Sequence, residues 1–177
     1  RHAEWFCRVV RGMYEHFGQT FAEIARFRRT LRPETVPKHY AFQGVENLRR
    51  AQQRGKGVII VTGHIGNWES GGVAIAASIT PIMSVARPLD NPLLDRYLIG
   101  SRQTTGQRIV PKQGALRAMM EVLNSGGTCI VVADQYAGSD GIWVDFFDRP
   151  VSAISSVGAL AYRLDAAIVP GYCRRVA

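Results

Sequence analysis

The apolar, β-branched run that ends just before His64 constrains the fold more than any other feature. Residues 57–62 read Gly-Val-Ile-Ile-Val-Thr, a composition typical of a β-strand. Gly63 and Gly66 flank the histidine and permit a tight turn. Asn67 follows as a favourable N-cap for a helix. The sequence therefore predicts a strand that delivers a histidine at its carboxyl end and turns directly into a helix.

The same alternation continues along the chain after Pro37. Strands are predicted near residues 40–43, 57–62, 81–86, 107–110, 127–133, 142–147 and 166–173. Helices are predicted near residues 45–53, 67–79, 92–104, 113–125 and 154–164. Strands interleaved with helices indicate an α/β fold with a mainly parallel sheet flanked by helices. Sites in such folds form where strands end, which is where His64 and Asp134 lie.

An amphipathic helical segment precedes this pattern. Apolar residues recur at helical spacing from Trp5 to Phe27, and arginines fill many of the intervening positions. We expect one long helix or a helix pair, broken at Gly18 and ended by Pro33 and Pro37. The aromatic face suits a protein core. An anionic surface is the alternative, because Arg26, Arg28, Arg29 and Arg32 cluster at the end of the segment.

The length of 177 residues suits one core, and we expect residues 1–177 to form a single domain. We also expect a fragment, because the sequence opens on Arg1 and stops at Ala177 directly after a strand-like run.

Three widely spaced cysteines, outside any CxxC motif, favour reduced thiols in a cytoplasmic environment. No apolar stretch approaches the roughly 18 residues of a membrane span.

A formal net charge of +8 indicates an acidic partner, either anionic lipid, an acidic protein or nucleic acid, unless the basic surface only confers solubility. Nucleic acid is not expected, because the sequence has no RNA-binding aromatic signature and no zinc finger. No metal site or cofactor is predicted. The H-E-x-x-H signature is absent, and the other three histidines lie in the N-terminal quarter.

His64 is a candidate general base, and Glu69 is its candidate partner. Positions five apart on one helix diverge by roughly 140°, so the two side chains can meet only if the chain turns between them. A carboxylate in the first turn of the helix can orient the imidazole and make it a better base. The alternative is an ordinary hydrogen-bonded loop histidine. Because the sequence has no G-x-S-x-G elbow and no P-loop, a base that acts directly on a substrate hydroxyl fits best.

The block His64-Ile-Gly-Asn-Trp-Glu69 resembles the H-x4-D/E motif of the glycerolipid acyltransferase superfamily. Residues 86–95, Ala-Arg-Pro-Leu-Asp-Asn-Pro-Leu-Leu-Asp, resemble the R-P-x-x-N-P-L-L-D block of the late lipid A acyltransferases, the lauroyl and myristoyl transferases. Further blocks of that family are similar to Val110-Pro-Lys112 with Gly114, Leu116 and Arg117, to Ala133-Asp-Gln135 with Phe146 and Phe147, and to Ile168-Val-Pro170 with Arg174 and Arg175. The likeness spans roughly residues 40–175.

This resemblance implies an α/β sandwich that transfers a fatty acyl group from acyl carrier protein to a hydroxyl of a lipid A precursor. The implied partners are acyl carrier protein, an anionic glycolipid acceptor and the membrane surface, at the cytoplasmic face of the inner membrane. It also implies an N-terminal membrane helix before Arg1 and a further C-terminal part, neither of which this sequence contains. Another glycolipid acceptor, such as a phosphatidylinositol mannoside, and a non-catalytic basic membrane-peripheral protein remain as alternatives.

The resemblance also assigns roles to residues, with His64 as general base and Glu69 as the carboxylate that orients it. It implies that Arg102 holds an acceptor phosphate or the oxyanion, and that Asp134 orders the acceptor or Arg102. Arg87 is a third candidate for phosphate contact, since guanidinium geometry suits phosphate. The structural alternatives are a solvated helix residue for Arg102, a loop cap for Asp134 and an ion pair for Arg87. We expect Arg102 and Asp134 to face the same cleft as His64. Four aromatic residues are candidates either for lining an acyl groove or for the core: Trp68, Trp143, Phe146 and Phe147.

Overall fold

The computed structural model describes residues 2–103 and 105–176. The helices within these residues are α1 (His2–Ile24), α2 (Phe27–Thr30), α3 (Val36–His39), α4 (Val45–Gln52), α5 (Trp68–Ser78), α6 (Pro92–Gln103), α7 (Ala115–Asn124) and α8 (Ser156–Leu164). The strands are β1 (Val58–Thr62), β2 (Ile82–Ala86), β3 (Gln107–Pro111), β4 (Thr128–Val132), β5 (Ile142–Phe146), β6 (Arg149–Ala153) and β7 (Ala167–Pro170). A short 3-10 helix spans Gly138–Asp140.

Five strands form a parallel sheet in the order β3-β2-β4-β1-β7. Successive side chains of a strand point to opposite faces, so each central strand contributes side chains to a core on each face of the sheet. On one face, Ile59 and Cys129 belong to a cluster with buried residues of α7 and α8. On the other face, Ile60 and Ile130 cluster with residues of α4 and α5. The predicted α/β fold with a parallel sheet flanked by helices is confirmed.

Most predicted elements form within a few residues of their expected bounds, but the strand expected at residues 40–43 is wrong. This segment has no regular structure and joins α3 to α4. Tyr40 of this segment packs against a cluster that includes Phe27 and Val73, both of which lie in helices. The aromatic side chain therefore packs against helices and does not belong to a strand. The helix predicted near residues 92–104 ends at Gln103, and residue 104 lies outside the described residues.

The break expected at Gly18 is wrong, because helix α1 runs through Gly18 without interruption and ends at Ile24. The helix pair is present as α1 and α2, and α2 ends at Thr30, shortly before Pro33. Pro37 lies in the first turn of α3. That position suits proline because the first amides of a helix lack intrahelical partners.

The sequence did not predict β6, which pairs with β5 in an antiparallel hairpin. Pro150 argues against a strand by composition, but here it lies in a two-stranded sheet, where an edge position tolerates it. The turn uses Phe147 and Asp148 at φ 49° and 58°, conformations usually taken by glycine or asparagine. Both turn positions are therefore occupied by residues that are atypical of hairpin turns, so the sequence did not indicate the hairpin.

The apolar face of α1 is largely exposed and does not form the main core. The large apolar side chains of this face, from Trp5 to Phe21, have exposed fractions between 41% and 70%. Between them lie polar side chains that contact the rest of the chain, as described below. Among the described residues, no helix combines the length and apolar character needed to cross a membrane.

Candidate active site

The register between β1 and β4 brings His64 and Asp134 together. Thr62 pairs with Val132 at the end of the two parallel strands, and the Ala133 amide donates to the Thr62 carbonyl at 2.8 Å. His64 and Asp134 each follow the last paired residue of their strand by two positions. Neighbouring parallel strands end at the same edge of a sheet, so the two side chains leave that edge side by side.

Asp134 holds His64 by two hydrogen bonds. The backbone amide of His64 donates to Asp134 Oδ2 at 2.7 Å, and ring atom Nδ1 lies 2.7 Å from Asp134 Oδ1. Because an ionised carboxylate only accepts, Nδ1 carries the proton in this contact. The other ring nitrogen, Nε2, is then the one able to accept a proton from a substrate. The side chain of His64 is 34% exposed, so a substrate can reach it.

The pKa of Asp134 is lowered from its ordinary value of 3.8. Burial of the carboxyl raises this pKa, but the hydrogen bonds from the amide and ring of His64 outweigh that effect. A carboxyl with a lowered folded-state pKa stabilises the fold above its unfolded pKa, and this contribution is lost as pH falls through the folded-state value. Asp134 therefore stays ionised at neutral pH and stabilises positive charge on His64.

The pairing predicted between His64 and Glu69 is wrong. Glu69 lies in the first turn of α5, as expected, but both of its oxygens are taken by Arg102 of α6. Arg102 Nη2 donates to Glu69 Oε1 at 2.6 Å, and Nε donates to Oε2 at 2.8 Å. Such a two-pronged contact is the geometry that guanidinium and carboxylate prefer. Asp134 instead of Glu69 orients the imidazole.

This ion pair also decides against one alternative for Arg102. Its side chain is only 11% exposed, and that of Glu69 is 19% exposed, so the pair is largely buried. Arg102 is therefore not a solvated helix residue. Its expected position in one cleft with His64 and Asp134 stays a prediction. It fixes the start of α5, which carries Glu69, against α6.

Arg87 follows β2, which neighbours β4, so it lies at the same edge of the sheet as His64 and Asp134. Its guanidinium lies 3.7 Å from Asp90 in an exposed pair. The side chain of Arg87 is 83% exposed, so this pairing leaves it open to solvent. A role for Arg87 in phosphate contact stays a prediction.

The turn between His64 and α5 has the construction that the sequence predicted. Gly66 adopts φ 59°, and a Cβ there would lie 1.8 Å from the Cys173 carbonyl oxygen. Asn67 caps α5, its Oδ1 accepting from the Ser70 amide at 3.0 Å. The ring of Trp68 meets the His64 ring edge to face at 4.6 Å. The turn that follows His64 is thus held by a close backbone contact, a helix cap and a ring contact.

Three of the four aromatic candidates lie on the hairpin, and they are exposed. Trp143, Phe146 and Phe147 have exposed fractions of 67%, 61% and 85%. The core is therefore the wrong alternative for these three side chains. Their proposed part in lining an acyl groove stays a prediction.

Within residues 2–103 and 105–176, no group of three or more histidine, cysteine or acidic side chains is placed to hold a metal ion. The arrangement at His64 is that of a base with a carboxylate behind it. Such a pair can remove a proton from a hydroxyl and stabilise the imidazolium that forms.

A family model described as bacterial lipid A biosynthesis acyltransferase matches residues 6–177. The chain belongs to this family. This match confirms the family resemblance that the ordered sequence blocks indicated.

Individual relatives include acyltransferases that are named for different acceptors. The chain is 28% identical over 133 residues to a phosphatidylinositol mannoside acyltransferase of Mycolicibacterium smegmatis, covering 73% of the chain and 44% of that protein. It is 23% identical over 140 residues to a lipid A biosynthesis acyltransferase of Haemophilus influenzae, covering 78% and 44%. It is 28% identical over 106 residues to a lipid A biosynthesis palmitoleoyltransferase of Escherichia coli, covering 60% and 34%. The chain thus spans less than half the length of these curated relatives.

Gly63 makes the contact between Asp134 and His64 possible. A Cβ at this position would lie 2.9 Å from Asp134 Oδ2 and 3.1 Å from Cγ. We expect Gly63→Ala to displace the carboxylate, weaken its hydrogen bonds to His64 and raise the pKa of Asp134. Carbon-13 NMR titration of the Asp134 carboxyl measures this change. Gly158→Ala is the control, since a Cβ there meets nothing within 4 Å, and an unchanged Asp134 titration in folded Gly63→Ala protein would contradict the expectation.

The Glu69–Arg102 pair predicts a large loss of stability when one partner is removed. Arg102→Met leaves the Glu69 carboxylate buried without its counter-ion, which costs about 3–5 kcal/mol of unfolding free energy. The matched control is Arg117→Met, because Arg117 pairs with Glu121 on an exposed helix face, where such pairs contribute at most about 1 kcal/mol. Urea denaturation measures both. Equal losses of unfolding free energy in the two variants would show that burial of the Glu69–Arg102 pair does not contribute to stability.

Proposed function

We propose that this protein catalyses O-acyl transfer from a fatty acyl thioester to a hydroxyl of a glycolipid acceptor, with His64 as general base. The observation that carries the proposal is the His64–Asp134 pair at the carboxyl edge of the sheet. Membership of the acyltransferase family supports it independently. A binding protein without turnover would not need an imidazole held by a carboxylate through one nitrogen with the other left to react.

In the proposed reaction, the acceptor hydroxyl loses its proton to Nε2 of His64 as its oxygen attacks the thioester carbonyl carbon. A new C–O bond forms, and the imidazolium is stabilised by the Asp134 carboxylate. The tetrahedral intermediate then collapses with cleavage of the C–S bond. His64 returns the proton to the departing sulfur, so an ester and a thiol are released.

The oxyanion of the intermediate requires hydrogen-bond donors or positive charge. Backbone amides at the start of α5, other than the Ser70 amide that Asn67 caps, are suitable, because the first turn of a helix has amides without intrahelical partners and a positive dipole end. Glu69 and Arg102 act indirectly in this scheme, through the position of α5. Their buried pair fixes the first turn of α5, and with it the amides and the turn that carries His64.

For the acceptor, we propose a lipid A precursor, with a phosphatidylinositol mannoside as the second candidate. The family model supports the first, and the mycobacterial relative supports the second. For the donor, we propose acyl carrier protein, an acidic partner that suits the net charge of +8. We also propose that the reaction takes place at the cytoplasmic face of the inner membrane.

Mass spectrometry of glycolipids from cells with and without the gene decides between the acceptors. Loss of one acyl chain from lipid A species supports the first candidate. Loss of one acyl chain from phosphatidylinositol mannosides supports the second. An unchanged glycolipid profile, together with no transfer by the purified protein, would favour the non-catalytic membrane-binding alternative.

His64→Ala in the complete protein should lower acyl transfer by about 10² to 10⁴ fold, because the base is removed with little loss of packing. Asp134→Asn should lower kcat as well, because it removes the negative charge that stabilises the imidazolium. The measurement is transfer of a labelled acyl chain from a thioester donor, with circular dichroism as the check of folding. His39→Ala, at an exposed position away from the pair, is the control. Near-normal transfer by folded His64→Ala protein would refute the assignment.

We propose that the exposed apolar face of α1 and the arginines that follow it contact an anionic membrane, so membrane attachment should depend on salt. Binding to phosphatidylglycerol-containing vesicles should weaken as salt shortens the Debye length to about 8 Å and below. Replacing exposed Arg26 and Arg29 by glutamine should weaken it further in a vesicle sedimentation assay. The control replaces Arg49 and Arg50 on α4, which gives the same change in charge. Equal effects of the two double variants would mean that net charge, and not the arginines that follow α1, governs binding.

A further inference from the structure

One buried side chain connects the turn beside His64 to the N-terminal helix. Asn67 is 2% exposed and lies three residues after His64. Its Oδ1 caps α5, and its Nδ2 donates to Glu23 Oε2 on α1. The two ends of this amide thus bind different elements, so a movement of α1 at Glu23 is transmitted to the cap of α5.

Glu23 is itself fixed by the C-terminal segment. Arg175 donates to Glu23 through Nε at 2.8 Å and through Nη2 at 3.0 Å. Arg175 also donates to Thr20 Oγ1 at 2.7 Å and to His16 Nδ1 at 2.8 Å, both on α1. The pKa of Glu23 is lowered, first by the hydrogen bond from Arg175 and further by the Asn67 amide, against the opposing effect of burial. Glu23 is therefore an ionised acceptor with donors on two elements.

Aromatic side chains provide a second connection from α1 to His64. Phe17 of α1 meets Trp68 edge to face at 6.4 Å, and Trp68 meets His64 at 4.6 Å. The opposite side of the turn is closed by the C-terminal segment, since Gly66 and Gly71 both lie against Cys173. The turn is held between α1 and the segment that carries Arg175.

We propose that Glu23 is a positioning residue for acyl transfer, acting through Asn67 to hold the turn of His64 and so making the rate depend on how α1 is seated. The inference rests on the proposed function. Glu23 contacts neither His64 nor Asp134 in the hydrogen bonds described, so its effect is on the placement of the base and not on the chemistry itself. Small displacements of a reacting group can cost about 10² fold in rate.

The test exchanges the two partners of the Glu23–Asn67 hydrogen bond in the complete protein. Glu23→Gln weakens the contact, and Asn67→Asp places two carboxylates against each other while keeping a good N-cap. The double variant restores a single amide and a single carboxylate with their positions exchanged. Glu15→Gln is the control, since Glu15 lies on the same helix in an exposed pair with Arg11.

We expect each single variant to lower kcat by about 10 to 100 fold with KM changed by less than about twofold, and the double variant to recover most of the loss. Thermal unfolding of all variants separates this effect from a loss of stability. If the losses in kcat follow the losses in melting temperature, or add in the double variant, Glu23 serves only stability and the proposal is overturned. The same holds if Glu23→Gln behaves as Glu15→Gln.

Nitrogen-15 NMR of the His64 ring gives a readout that does not need turnover. The single variants should shift the His64 signals and the double variant should return them toward those of the wild type, with Glu15→Gln unchanged. Unmoved His64 signals in both single variants would overturn the proposal. If the wild-type protein transfers no acyl chain, the proposed function fails, while the His64 signals still decide whether Glu23 positions this histidine.

Discussion

The pairing of β1 with β4 is the constraint on which the site depends. Their register fixes Thr62 opposite Val132, and two more residues on each strand bring the chain to His64 and Asp134. A slip of one residue would turn the side chains of either strand to the opposite face and would separate the two groups. The buried residues Ile59 and Cys129 prevent such a slip, because both must face the cluster formed with α7 and α8. Hydrophobic packing on the faces of the sheet thus sets the geometry at its edge.

The two carboxylates near His64 have separate tasks. Asp134 binds the histidine directly, whereas Glu69 binds Arg102 and fixes α5 to α6. Burying an ion pair carries a desolvation cost that offsets much of its attraction, so the pair adds little net stability. It does fix the position of the first turn of α5, immediately after the turn that carries His64. A glutamate five residues after the histidine is therefore consistent with a scaffold role.

Local signals in the sequence predicted the elements around the site, because strand runs, glycine turns and helix caps act over a few residues. The strand ending before His64, the turn at Gly66 and the cap at Asn67 are of this kind, and all three form. The partner of His64 lies 70 residues away and is set by the order of strands in the sheet, which the alternation of elements does not specify. The sequence pattern indicated two candidate carboxylates, Glu69 in a first helical turn and Asp134 after a strand, and only the strand order shows which of them meets His64.

The N-terminal helix is a second case in which the local sequence pattern did not determine the contacts that form. Its amphipathic pattern predicted an apolar face toward the core, which is how surface helices usually dock. In the structure, α1 is attached largely by polar side chains, with Thr20 and Glu23 bound to Arg175 and Asn67 bound to Glu23. An attachment by directed hydrogen bonds fixes the rotation of the helix about its axis more narrowly than apolar contact does, because each donor must meet its acceptor. That rotation leaves the aromatic residues outward and keeps Phe17 against Trp68. The helix can therefore present an apolar surface while remaining in register with the turn that holds His64.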